Sequence, residues 1–300
     1  MTWFSFSLPD FAYSFLSILL EGVPFILVGT LLSGLIDQFL PSRTMTAFVP
    51  KNPLLAVLAG GALGIVFPMC ECGIVPVIRR LMDKGLPVST AVAYMLAAPI
   101  VNPITALSTY AAFRGQGAAE FTVLRLGLGF FIAVVAGCAV LNLPASAVLK
   151  KILQGSSHEH SPGNSLFNRL QAALEAGVRD FLDVMVFFIL GVAVASLFGT
   201  AVNQEILLPL ALDDRLAVPA MMSLAAILAL CSSSDAFVAA TFVAFPAVAK
   251  LAFLVFGPMM DLKLIFLYSA VFQKRFVAGL ALGLFVVTGL VCLRLAVVLP

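Results

Sequence analysis

The stretch FPMCECGIVP, Phe67 to Pro76, sets a proline, two cysteines around a glutamate, a glycine and a second proline inside one of the most apolar parts of the chain. An unbroken run there reads as a membrane helix. Proline removes a backbone donor and clashes with the preceding turn, so this run reads as a helix that breaks near Cys70, Glu71 and Cys72. Broken backbone survives at membrane depth only where protein or a water-filled cavity satisfies it. A break carrying thiols and a carboxylate therefore points to a site.

The rest of the chain supplies the membrane. Of its 300 residues 62% are hydrophobic and 11% charged, against about 25% charged in a soluble domain. That excess cannot be buried in one globule, so the fold class is an all-α polytopic membrane protein. A span needs about 20 apolar residues. About eight segments qualify: 11–36, 54–80, 87–113, 121–143, 181–202, 216–241, 246–272 and 276–298. No removable signal peptide is evident. The net charge of +2 carries no message about nucleic acid. The five cysteines all lie in apolar segments, where thiols are normally free.

The chain divides into 1–148, a first transmembrane repeat, 149–179, a cytoplasmic loop and amphipathic linker, and 180–300, a second repeat. The linker holds GSSHEHSPGN, a loop by composition, and LFNRLQAALEAGVRDF, a surface helix. His158 and His160 within it read as solvated loop residues. Basic residues of short loops mark the cytoplasmic face. Lys150, Lys151, Arg169 and Arg179 of the linker share a face with Arg79, Arg80 and Lys84 if there are eight spans. Arg43, Lys51, Arg114, Arg125, Arg215, Lys274 and Arg275 then fall opposite, which leaves a weak bias toward both termini and the linker inside.

The two sets of four segments align. PLLAVLAGGALGIVFPMC ends at Cys70 as DRLAVPAMMSLAAILALC ends at Cys231; Pro87 falls on Pro246, Pro99 on Pro258, Asn102 on Asp261 and Cys138 on Cys292. Two repeats around a site are transporter architecture. Four-span repeats share one orientation, whereas a re-entrant hairpin at a break would invert them. The breaks PMCECGIVP, APIVNP, CSSSD and GPMMD are expected to meet at one centre. They would bring together Cys70, Glu71, Cys72, Cys231, Ser232, Ser233, Ser234, Asp235, Asn102 and Asp261 as a substrate site. Cys70, Cys72 and Cys231 are its candidate ligands for soft metals or metalloids. Glu71, Asp235 and Asp261 are its candidate proton carriers. Cys138 and Cys292 read as small buried hydrophobes. Asn102 also reads as a partner for carbonyls freed by Pro99 and Pro103, Asp261 and Lys263 as a local loop pair, and Glu21 as a pairing or hinge residue whose place in an apolar run also makes it a site candidate.

FPMCECGIVPVIRRLMDKGLP followed by AAPIVNPITALSTYAAF resembles the predicted permease family that contains YraQ-like and YcgR-like proteins and the organoarsenical efflux permease ArsP. The shared elements are Cys70 and Cys72 with Gly73 and Pro76, the Lys84-Gly85 loop, and Pro99 to Pro103. LLEGVPFILVG resembles the family's first helix. Glutamate between the cysteines, where many relatives have serine, is similar to the YcgR-type branch. The resemblance implies an inner-membrane permease, efflux of trivalent organoarsenicals or handling of copper or zinc in some members, Cys70 and Cys72 as arsenic ligands, and a second membrane subunit as partner.

The expected function is a secondary transporter exporting a soft metal ion or trivalent arsenical, not an enzyme, with no bound cofactor. No GxxxxGK[ST] loop occurs, so energy comes from a gradient or another subunit. The alternative is a membrane thiol oxidoreductase relaying electrons through Cys70 and Cys231.

Overall fold

The computed structural model describes residues 7–41, 49–150, 166–201 and 214–298, all helices and their connections apart from one isolated bridge. His158, His160 and Lys151 lie outside the described residues. The first half holds α1 (Leu8–Phe39), α2 (Pro53–Val66), α3 (Ile74–Asp83), α4 (Val88–Ala97), α5 (Pro103–Ala112) and α6 (Ala118–Ala139). A short α7 (Ala145–Val148) precedes the second half. That half holds α8 (Leu166–Ala201), α9 (Asp214–Leu228), α10 (Asp235–Thr241), α11 (Ala247–Met259), α12 (Leu262–Val271) and α13 (Lys274–Val298).

Among the described residues five stretches are long and apolar enough to cross a membrane: Leu8–Phe39, Ala118–Ala139, Leu166–Thr200, Ala247–Val271 and Lys274–Ala296. Shorter apolar helices are Pro53–Val66, Val88–Ala97 and Leu216–Leu228. All eight expected segments are helical, but 54–80, 87–113, 216–241 and 246–272 are each two helices with a break.

Local chemistry sets the boundaries. Asn52 accepts from the Leu54 N–H ahead of Pro53, starting α2. Pro87 and Pro246 precede α4 and α11 with nearly the same backbone, φ −57° and ψ 141° against φ −56° and ψ 148°. The Asn102 side chain accepts from the Thr105 N–H and the Asp261 side chain from the Leu264 N–H. Both satisfy a first-turn donor that has no partner within its helix. α4 and α11 form the centre, buried from Ser89 to Ala97 and from Val248 to Met259. α1, α8 and α13 turn residues such as Leu20, Leu182 and Leu282 outward, the composition of a lipid-facing surface.

Residue pairs give each helix a direction. Ser33 donates to Asp180 while Gly22 lies beneath the Phe188 ring, so α1 and α8 are antiparallel. Arg80 pairs with both Asp37 and Asp180, so α3 ends where α1 ends and α8 begins. Gly60 faces Thr90 and Gly64 faces Ala98, so α2 and α4 run the same way. α3, between them, must carry the chain back: α2 and α3 form a hairpin with its tip at 67–73. The α4–α5 stretch then crosses against α6, with Ser89 and Ala93 at Gly137, Ile100 at Gly129 and Phe113 stacked on Phe121. In the second half Gly257 packs on Ala225, so α9 and α11 also run the same way. Val218, Pro246, Gln116 and Leu295 line one cleft at the end opposite Asp37. The α9–α10 hairpin therefore enters from that opposite end.

Four sequence expectations are corrected by this path. Lys51, ahead of α2, lies at the linker's end rather than opposite it, because α2 runs with α4. LFNRLQAALEAGVRDF is the first part of the long α8 rather than a separate surface helix. The Lys150 N–H donates to the Val271 carbonyl and Leu149 bridges Phe272, so Lys274 and Arg275 share the linker's end rather than facing away from it. Arg125 is no loop residue. It is fully buried within α6.

Candidate functional site

The two hairpin tips meet. The first, 67–73, is seated by an unusually close backbone approach: a β-carbon on Gly29 would collide with the Gly73 carbonyl, and one on Gly73 would lie 2.8 Å from the Phe25 carbonyl oxygen. Only glycine on both sides lets the tip rest on α1. This places Glu71, with no exposed surface, against the second tip.

Glu71 is the hub. Its Oε1 takes an ion pair from Lys263 Nζ at 3.2 Å, and its Oε2 accepts from the Ser232 hydroxyl at 3.3 Å and the Cys231 thiol at 3.9 Å. Lys263 also donates to the Ala229 carbonyl at 2.8 Å and lies 3.5 Å from Asp261 Oδ2. Ala229 holds φ at +48°, a conformation uncommon for a residue with a β-carbon. Buried charges persist when paired and hydrogen-bonded, and Lys263, Glu71 and Asp261 meet that condition together.

Beside this hub is a small cavity of about 10 Å³, room for about one water molecule. Cys70, Glu71, Cys72, Cys231, Lys263 and Glu21 all line it. The three candidate thiols thus share one space, reached from both halves. Among the described residues no three His, Cys, Asp or Glu side chains form a ready metal site. The local bonds show why: Cys70 Sγ accepts from the Gly73 N–H, and the Glu71 oxygens are turned to Lys263 and Ser232. All five cysteines are free.

Other expected members stand apart from the cavity. Asp235 opens α10 and pairs with Arg125 Nη2 at 2.6 Å; the same nitrogen bonds the Ser232 carbonyl, and Arg125 Nη1 bonds Thr109. Ser232 therefore touches both charge clusters, through its hydroxyl and its carbonyl. Ser233 donates to Cys231 Sγ and Ser234 to the Cys231 carbonyl, folding the tip locally. Asn102 caps α5 and donates to the Ala98 carbonyl, a local role that makes no contact with the cavity. Asp261 caps α12 and also reaches Lys263, so it serves both its helix and the site. Cys138 is half-buried and Cys292 buried, and neither lines the cavity.

The residues that sequence reasoning undervalued are two of the buried cations, Lys263 and Arg125. The signal was present for each: Lys263 stands in a broken apolar segment, and Arg125 in a run long enough to span. An ionisable group at such a place is a site candidate by default. Glu21 belongs with them, since it lines the same cavity.

The chain has known relatives by sequence. A family model described as a predicted permease, ArsP_1, matches residues 8–296. The chain is 39% identical over 265 residues to the UPF0718 protein YcgR of Bacillus subtilis (strain 168), covering 88% of this chain and 89% of that protein. It is 33% identical over 264 residues to a Streptococcus mutans protein named as a two-component membrane permease complex subunit, covering 88% of this chain and 87% of that one. No solved structure matches the chain. Its apolar helices and these relatives make it a multi-pass cell-membrane protein, and the chain belongs to the predicted permease family.

Proposed function

We propose that the chain is a secondary transporter that exports a soft metal ion or a trivalent arsenical, bound by Cys70, Cys72 and Cys231 between two inverted repeats. The observation that carries this reading is the shared cavity: thiols from both hairpin tips line one small space beside Glu71. Soft sulfur ligands select soft ions and metalloids.

The helix directions support the repeat. α1 to α6 and α8 to α13 follow the same order, with matched proline starts and matched Asn102 and Asp261 caps. Each half crosses three times, by α1, α4–α5 and α6, then by α8, α11–α12 and α13. Each inserts one hairpin, from opposite ends. An odd number of crossings inverts one half relative to the other, the arrangement in which rocking about a central site alternates access. The eight-segment pattern is thus read as six crossings and two re-entrant hairpins.

Charge gives the sidedness. Among the described residues, the end holding α1's last turn carries Lys51, Arg79, Arg80, Lys84, Lys150, Arg169, Arg179, Lys274 and Arg275; the other end carries Arg114, Arg215, Lys250 and Arg294. The basic end is cytoplasmic by the positive-inside rule. The start of α1 and the end of α13 then face out, against the expectation from eight spans. Asp261 Oδ2 is buried without a hydrogen-bond donor, which suits Asp261 to carry a proton between access states, whereas Asp235 is held by Arg125. The Streptococcus mutans relative's name supports a second membrane subunit as partner.

The test is uptake of Zn(II), Cu(I) and methylarsenite by everted membrane vesicles. Wild type should accumulate one of them against its gradient, and the Cys70→Ser/Cys72→Ser double variant should not. Equal accumulation by both proteins would remove the thiols from transport and with them this reading.

A further inference from the structure

The proposed site contains a cation of its own. Lys263 Nζ has three oxygen neighbours: it donates to the Ala229 carbonyl at 2.8 Å and to Glu71 Oε1 at 3.2 Å, and it forms an ion pair with Asp261 Oδ2 at 3.5 Å. Two carboxylates and a carbonyl make a small oxygen cage, and a tethered ammonium fills it. The cage is built for the purpose. Ala229 takes its left-handed conformation where its carbonyl meets Lys263, and such outliers gather at functional sites. Gly191 of α8 has no β-carbon where one would come within 2.9 Å of Lys263 backbone atoms, so α8 packs directly on the start of α12 and fixes the backbone that carries Lys263.

The charges are unbalanced. Glu21 and Glu71 line the cavity, Asp261 reaches Lys263 beside it, and a single ammonium faces these three carboxyl groups. A neutral cargo does nothing for that excess, whereas a cation offsets it. Lys263 can also release Glu71 without losing all its partners, because Ala229 and Asp261 stay within reach. Lysine suits this part, being a compact charge on a flexible stem with rotatable donors.

Resting on the transporter reading above, we propose that Lys263 is an internal counter-cation that holds Glu71 until a soft divalent cation displaces it, so that the cargo is a metal cation rather than a neutral arsenical. In the exchange the ammonium retreats to Ala229 and Asp261. Glu71 then becomes an oxygen ligand beside the thiols. Lys263 and the cargo compete for one carboxylate, and that competition keeps cargo affinity low enough for release.

The experiment is equilibrium binding of Cd(II) and of methylarsenite to the purified full chain in nanodiscs. Cd(II) is followed by its thiolate charge-transfer absorbance. Lys263→Gln should bind Cd(II) several-fold tighter than wild type, with methylarsenite binding unaltered. Lys263→Arg, which keeps a charge in the cage, should stay close to wild type. Glu71→Gln should weaken Cd(II) alone, and this variant decides the matter should Lys263→Gln not fold. Cd(II) affinity that is unmoved or lower in folded Lys263→Gln, or unmoved in Glu71→Gln, overturns the exchange while leaving the thiol site intact. Cys70-dependent and Cys72-dependent binding of methylarsenite without any of Cd(II) overturns the cation assignment alone. Binding of neither probe through those cysteines overturns both this proposal and the transporter reading beneath it.

Discussion

Each hairpin tip is braced by a basic side chain from the opposite half, yet the two braces are chemically unlike. Arg125 of the first half holds the second tip through Asp235 and the Ser232 carbonyl, with Thr109 behind it. Lys263 of the second half holds the first tip through Glu71. Arginine is a rigid fork that locks geometry; lysine is a mobile point charge. Only the lysine brace borders the thiol cavity. The comparison separates a fixed clamp from an exchangeable one.

The largest effect should come from breaking the clamp. Asp235→Leu leaves the Arg125 guanidinium buried with no counter-charge, a change worth about 3–5 kcal/mol in other buried pairs. Thermal unfolding in detergent should show a large drop in midpoint and poor yield. Arg125→Leu/Asp235→Leu should recover most of the loss, because an apolar pair of similar volume is often neutral. If the single and double variants unfold together, Arg125 and Asp235 are not coupled and the clamp assignment is wrong.

The seat of the first tip comes next. Gly29→Ala forces a methyl group against the Gly73 backbone, and overpacking costs roughly 1–3 kcal/mol. The tip should tilt away from α1 and carry Glu71 with it. Cd(II) binding should weaken beyond what the stability loss explains. Gly279→Ala, where an added β-carbon meets nothing within 4 Å, is the matched control and should change neither property.

How much of this the sequence discloses follows from which forces are local. The breaks are legible because proline, asparagine and aspartate act within a few residues: Asn102 caps a residue three positions on, and so does Asp261. The thiols are legible as a group because each marks a break. The direction of the chain after a break is not, since PMCECG has the same composition whether α3 continues α2 or folds back beside it. That turn depends on Gly29 meeting Gly73 and on Arg80 meeting Asp180, contacts between distant parts of the chain. With the direction unknown, Lys274 and Arg275 read as lying away from the linker and Arg125 reads as a loop charge. Lys263 reads only as a loop partner of Asp261 because its other acceptors, Glu71 and Ala229, come from elsewhere in the chain.

A smaller effect is expected at the helix cap outside the cavity. Asn102→Ala removes an acceptor for the Thr105 N–H and a donor to the Ala98 carbonyl. Loss of an N-cap costs about 1 kcal/mol. The unfolding midpoint should fall modestly, and Cd(II) affinity measured on the folded fraction should stay at the wild-type value. A specific loss of Cd(II) binding would move Asn102 into the site.

Asp261→Asn should have the smallest effect on stability, and it tests the lysine brace most directly. Asparagine caps a helix as well as aspartate does, so the Leu264 N–H keeps its acceptor. What disappears is one carboxylate of the cage. Lys263 still has Glu71 and Ala229, so no buried charge is orphaned, and the stability change should stay under about 1 kcal/mol, the size of one ordinary hydrogen bond. Binding should respond more than stability. With Asp261 neutral, Lys263 has less to retreat to and holds Glu71 more firmly, so Cd(II) must compete harder and its affinity should fall. Lys263→Gln moves affinity the other way. Opposite signs from two neighbouring substitutions are hard to obtain from general loosening of the fold, whereas a competition for Glu71 requires them. If both variants shift Cd(II) affinity in the same direction, Lys263 is a second structural clamp like Arg125, and the contrast between the two braces disappears.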